Sequence, residues 1–144
     1  MSRQSLSFAI AAAVLTAGAG CSSNHVSLSS RPGSSGDGEA LARTVASRAQ
    51  CGSFEEFDAS PRDRWSFTCQ KSDDMFVITT AETDAALASQ LVELGSANRP
   101  GKAGSFYVVS KFQPPGSRTT AAALRAFPGD LVGPATSGVA GAKP

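Results

Sequence analysis

Two neighbouring stretches do most to restrict how this chain folds: RWSFTCQK at 64–71 and MFVITT at 75–80. The first alternates, with Trp65, Phe67 and Cys69 on one side and Ser66, Thr68 and Gln70 on the other, the period-2 mark of a strand buried on one face. The second is continuously apolar, as suits a central strand covered on both faces. Only Ser72, Asp73 and Asp74 separate them. Two strands so close in the chain imply a hairpin, and a hairpin implies antiparallel pairing.

Helical patterns stand on either side. GEALARTVASRAQC predicts a first helix, with Ser35 or Asp37 as its cap and Leu41, Val45 and Ala49 on one face. TAETDAALASQLVELG is the strongest helical segment. Thr80 or Thr83 caps it, Glu82 and Asp84 favour its positive end, Leu87, Leu91 and Leu94 share a face, and Gly95 suits the position just past its end. GSFEEFDAS reads as a strand of weak pattern, because Phe54 and Phe57 do not share a period-2 face. DASPRDR reads as a turn and SANRPGKAGS as a loop. SFYVVSKF is a strong strand, QPPGSR breaks it, and TTAAALRAF predicts a short third helix stopped by Pro128. The predicted order is α-β-β-β-α-β-α. The fold class is α+β, a small, mainly antiparallel sheet packed with helices.

The first 20 residues have a different character. Arg3 is the only charge among the first 30 residues, and it sits in a short polar head before the apolar run LSFAIAAAVLTA. A positive head, an apolar run and small residues leading to a cleavage point form the layout of an export signal. The run is shorter than the ~20 residues a membrane span needs. Two cleavage points fit. Ala17-Gly18-Ala19 matches ordinary A-x-A cleavage, whereas Gly18-Ala19-Gly20-Cys21 resembles the lipobox of bacterial lipoproteins, with Gly18 where that family usually has Leu, Val or Ile. In that family the cysteine receives a diacylglycerol and becomes the first residue.

Cysteine parity separates the two. The chain has three cysteines, Cys21, Cys51 and Cys69. An exported protein pairs its cysteines, and an odd one is a reactive liability. With Cys21 lipidated, Cys51 and Cys69 close the count as one disulfide. Cys51 ends the first helix and Cys69 faces the core side of a strand, so their bridge would staple helix to sheet. The expected organisation is a signal peptide at 1–20, a lipidated cysteine and Ser/Gly-rich tether at 21–38, a domain at 39–134 and a disordered tail at 135–144. The tether expectation rests on composition. Residues 22–38 hold ten Ser or Gly and two charges, too few apolar groups to offset their ordering entropy.

Little in the domain carries reaction chemistry. The single histidine, His25, lies in the tether, which leaves no imidazole for base catalysis and no ligand set for zinc. Glu55, Glu56 and Asp58, with Asp73 and Asp74, match no calcium-binding loop and read as solvated turn charges. Gly101-Lys102-Ala103-Gly104 lacks the spacing of a phosphate loop and precedes a strand. Trp65, with Arg62 and Arg64 just before it, admits a stacking site for a sugar or anion, with core packing the simpler reading. Phe106, Tyr107 and Phe112 read as sheet packing. The 13 Lys and Arg against 12 Asp and Glu become 12 against 12 once Arg3 is removed with the leader. A balance so near zero offers no footprint for nucleic acid.

In its leader, tether and single-disulfide α/β layout the chain resembles the small bacterial lipoproteins of actinobacterial type, many of them of unknown function. The resemblance implies residence at the outer face of the cell membrane, held there by the lipid anchor, and implies no catalytic residue, cofactor or metal. The function expected is a membrane-anchored binding or accessory module with a protein or cell-wall partner. The alternative is a small-ligand carrier or sensor, with an enzyme behind both. An exposed apolar patch on the domain would mark the first, and an enclosed apolar pocket the second.

Overall fold

The structure, a computed structural model, describes residues 26–57, 62–113 and 121–133. The expected signal peptide, Cys21, His25, Asp58 and the expected tail lie outside these residues. Helix α1 spans Ser35–Arg48 and is followed by strands β1 (Ser53–Phe57), β2 (Arg64–Lys71) and β3 (Asp74–Ala81). Helix α2 (Asp84–Ser96) leads to β4 (Gly101–Ala103) and β5 (Tyr107–Lys111), then a 3-10 turn at Ala121–Leu124 and β6 (Asp130–Val132). The strands form one six-stranded antiparallel sheet in the order β1-β2-β3-β5-β4-β6. The chain is therefore α+β. The central hairpin pairs Phe67 with Ile78 and Cys69 with Phe76.

The element order differs from α-β-β-β-α-β-α in its last third. Residues 101–103, expected as loop, are strand β4, paired with β5 and β6. Their Gly and Lys content hides a strand because the position is set by close approach. A Cβ on Gly101 would lie 2.9 Å from both Leu94 Cδ1 and the Val109 carbonyl, so only glycine lets the strand slide beneath α2. The expected third helix is a single 3-10 turn. So short a segment gains too few hydrogen bonds to offset nucleation, and its conformation follows from burying Leu124 and Phe127. The Phe127 ring lies 4.7 Å from that of Phe76.

The helix ends also correct the sequence reading. Ser34, not Ser35 or Asp37, caps α1, accepting from the Asp37 amide at 3.2 Å while its hydroxyl donates to the Asp37 carboxylate at 2.9 Å. Thr83 caps α2 by accepting from the Ala86 amide at 3.1 Å. Thr80 instead lies one residue before the end of β3, buried. Both helices close with a left-handed residue, Gln50 (φ 59°) and Asn98 (φ 52°). The next amide reaches the carbonyl five residues back, Cys51 to Ala46 and Arg99 to Leu94, which is a Schellman closure. Gly95 lies inside α2 rather than past its end.

The first face of the sheet carries the core. Leu41, Ala42, Val45 and Ala46 of α1, with Ala49 at its C-cap, meet Phe67, Cys69, Phe76 and Ile78, with Tyr107, Val109, Leu124 and Phe127 completing the cluster. Cys51 and Cys69 are bonded, Cα to Cα 5.5 Å, within the 4.4–6.8 Å that such a bridge requires. Helix α1 sits close on the sheet because Gly38 leaves room for the Trp65 ring. A methyl on Gly38 would overlap Trp65 Cε3 and lie 2.9 Å from Thr80 Oγ1, whose hydroxyl donates to the Gly38 carbonyl at 3.2 Å. Gly38→Ala is expected to destabilise the domain. Overpacking costs about 1–3 kcal/mol, more than the helix propensity of alanine returns, at most ~1 kcal/mol. A lowered thermal midpoint checks this, and an unchanged or raised one would refute it.

Residues 26–34, assigned to the tether by composition, pack against the domain. Val26 and Leu28 lie against the core cluster, and Pro32 is buried. Arg31 donates to the Glu82 carbonyl at 3.0 Å and sits 4.5 Å above the Phe106 ring. A few apolar anchors and one arginine are enough to order a stretch whose average composition is polar.

Candidate docking face

The second face of the sheet is covered over only part of its length. Helix α2 lies across the ends of β2 and β3 and across β5, burying Thr79, Ala81 and Val108. Arg64 fastens it there: Nη1 donates to Gln90 Oε1 at 2.8 Å and to Glu93 Oε1 at 3.0 Å. Arg64 Nε is buried with no hydrogen-bond partner, so this clamp holds the helix at the expense of one unmet donor.

Beyond α2 the same face presents Glu55 and Phe57 of β1, Thr68 and Gln70 of β2, Met75 and Val77 of β3, and Ser110 with the following Phe112. The register lines these side chains up: Glu55 opposes Thr68, Thr68 opposes Val77, and Val77 opposes Ser110. None of them is buried. Phe57, Met75 and Phe112 keep 37%, 39% and 51% of their surface exposed. The Phe57 and Phe112 rings approach to 6.4 Å, tilted by 60°, and so bridge the uncovered half of the sheet.

The sequence reading missed this face. MFVITT was expected to be buried on both sides and Phe112 to pack in the sheet. Phe76, Ile78, Thr79 and Thr80 are buried, but Met75 and Val77 lie where α2 does not reach. The signal was present in the three-residue offset of Phe54 and Phe57, which sends them to opposite faces. Phe54 stacks on Phe67 at 5.1 Å and lies under the Arg43 guanidinium at 4.6 Å, while Phe57 turns to the open side.

Other candidate residues do not converge. Trp65 faces α1, Arg64 faces α2, and Arg62 is exposed in the turn, so no stacking site with two arginines forms. Asp74 pairs with Lys111 at 2.6 Å, and Asp73 is exposed. Glu55 and Glu56 point to opposite faces, and among the described residues neither has an ion-pair partner. Lys102, from the rejected phosphate-loop segment, donates to the Gly129 carbonyl at 3.0 Å. Burial pushes the Tyr107 hydroxyl above its ordinary range, with Arg48 lowering it and Asp130 raising it further, so at neutral pH it stays protonated. Among the described residues no three His, Cys, Asp or Glu side chains gather where they could hold a metal ion. Compared with known protein families, curated proteins and solved structures, the chain matches none.

Proposed function

We propose that this chain is an extracytoplasmic lipoprotein, anchored in the cell membrane through Cys21, whose α+β domain serves as a binding or accessory module. The observation that carries the reading is the Cys51–Cys69 bond. It uses two of the three cysteines, leaving Cys21 as the odd one, at the end of an export-type leader. Lipidation turns that liability into an anchor. Acyl chains contribute about 0.8 kcal/mol per buried CH₂, and two chains hold stably where one does not.

The packing of residues 26–34 shapes what such an anchor does. Only residues 22–25 separate Cys21 from Val26, and five Cα steps reach at most ~18 Å. The domain would ride close against the bilayer rather than roam on a long tether. Such confinement raises the effective concentration at a neighbouring partner, so a small docking face suffices. The exposed Phe57, Met75 and Phe112 favour a binding module over a ligand carrier, because they offer a surface and not an enclosure.

Mass spectrometry of the mature N-terminus, combined with membrane fractionation, tests the anchor. The native chain is expected to begin at an acylated Cys21 and to sediment with membranes. Cys21→Ala is expected to release the protein from membranes while its disulfide and thermal midpoint stay unchanged. A mature chain beginning at Gly20, with a free Cys21 thiol and no membrane association, would overturn the reading.

A further inference from the structure

We infer that the open edge of β1, together with the Phe57–Phe112 pair, is a docking site for an extended, basic and apolar segment of a partner protein, which adds as a strand beside β1. The inference deepens the binding-module reading and rests on it.

Several observations point to this occupant. Strand β1 is the edge of the sheet and, among the described residues, pairs only with β2. An edge strand offers a row of main-chain donors and acceptors, the template that strand addition uses. Of its five residues only Phe54 is half-buried, and the other four are exposed. On the open face Phe57 meets Phe112, giving an alternate side chain of an added strand an aromatic surface to rest on. The strand's own charges are acidic, Glu55 on the open face and Glu56 on the other, and Arg43, which lies over Phe54, is already paired with Glu39, so an added strand passes a carboxylate whichever way its side chains alternate. Lys or Arg on the incoming strand matches both.

A second copy of this chain fits worse. Antiparallel pairing of two β1 strands about their centre sets Glu55 against Glu55, and a shift of one residue sets Glu55 against Glu56, both repulsive. The apolar part of the face is also small. The exposed parts of Phe57, Met75 and Phe112 amount to on the order of 250 Å², against about 800 Å² per partner in a standard stable interface. A face of this size suits a short segment whose binding is strengthened by confinement at a surface.

The test follows backbone amide exchange in the mature chain, held in lipid nanodiscs, with two synthetic peptides as probes, KVKFKVK and EVEFEVE. The basic peptide is expected to slow exchange across Ser53–Phe57 by at least tenfold. The acidic one is expected to leave it unchanged. In the Glu55→Lys, Glu56→Lys double variant, whose substitutions are both exposed, the basic peptide is expected to lose at least tenfold in affinity at an unchanged thermal midpoint. Equal response to both peptides, protection at Val92 of α2 instead of β1, or no protection at millimolar peptide would each overturn the proposal. Protection of β1 that grows with protein concentration alone would assign the edge to a second copy, and protection by lipid alone would assign it to the bilayer; either overturns it. If Cys21 proves unlipidated, the chain is soluble and the same measurement still reads β1, so the two failures are told apart.

Discussion

Replacing Cys51 and Cys69 together with alanine is expected to lower the thermal midpoint by about 12–24 °C. The bridge joins residues 18 apart in sequence, and closing a loop of that length in the unfolded chain contributes roughly 3 kcal/mol. A domain of about 100 residues loses 4–8 °C per kcal/mol. The bond ties the Schellman-closed end of α1 to the middle of β2, where Cys69 is fully buried. Its loss frees the helix from the sheet as well as loosening the unfolded chain. Thermal melting followed by circular dichroism, with and without reductant, measures this. The native protein in reductant should approach the variant. A shift below about 5 °C would mean that packing of α1 alone holds the core.

Phe76→Ala is expected to cost about 3–5 kcal/mol, the usual range for emptying a buried aromatic site. Phe76 is 1% exposed, opposite Cys69 on β2 and against Phe127 beyond the 3-10 turn. Its removal opens a cavity where α1, the sheet and the 121–127 segment meet, and rigid strands on both sides limit collapse into it. Urea unfolding of Phe76→Ala beside Phe112→Ala makes the contrast sharp. Phe112 has half its surface in solvent, so its removal is expected to change stability by less than about 1 kcal/mol. A large loss at Phe112 would make it a packing residue and remove it from the docking face.

The residues whose signals are local were legible before any coordinates. The alternation Trp65-Phe67-Cys69 named the core side of β2, and the short gap to Met75 implied the hairpin. Both long helices overlap the segments their periodicity marks, with α1 starting and ending three residues earlier and α2 starting at Asp84. Each of these follows from neighbours in sequence. The candidate site was not legible in the same way. Met75 and Val77 read as buried because apolar residues in a central strand ordinarily are, and only the limited reach of α2 leaves them open. Phe54 and Phe57 looked inconsistent with a strand until each was seen to serve a different face.

What the sequence determined by itself, then, is the α+β class, the antiparallel hairpin, the Cys51–Cys69 pairing and the two long helices. Periodicity and parity act within short windows or by simple count. Tertiary structure alone decided the rest. Strand β4 exists because Gly101 fits beneath Leu94. Residues 121–127 form one tight turn because Leu124 and Phe127 reach the core. The stretch from Val26 to Pro32 is ordered because Arg31 finds Phe106 and Glu82. The open face exists because α2 stops short of Phe57, Met75 and Phe112. Each of these depends on atoms distant in sequence meeting in space, and no local propensity encodes such a meeting.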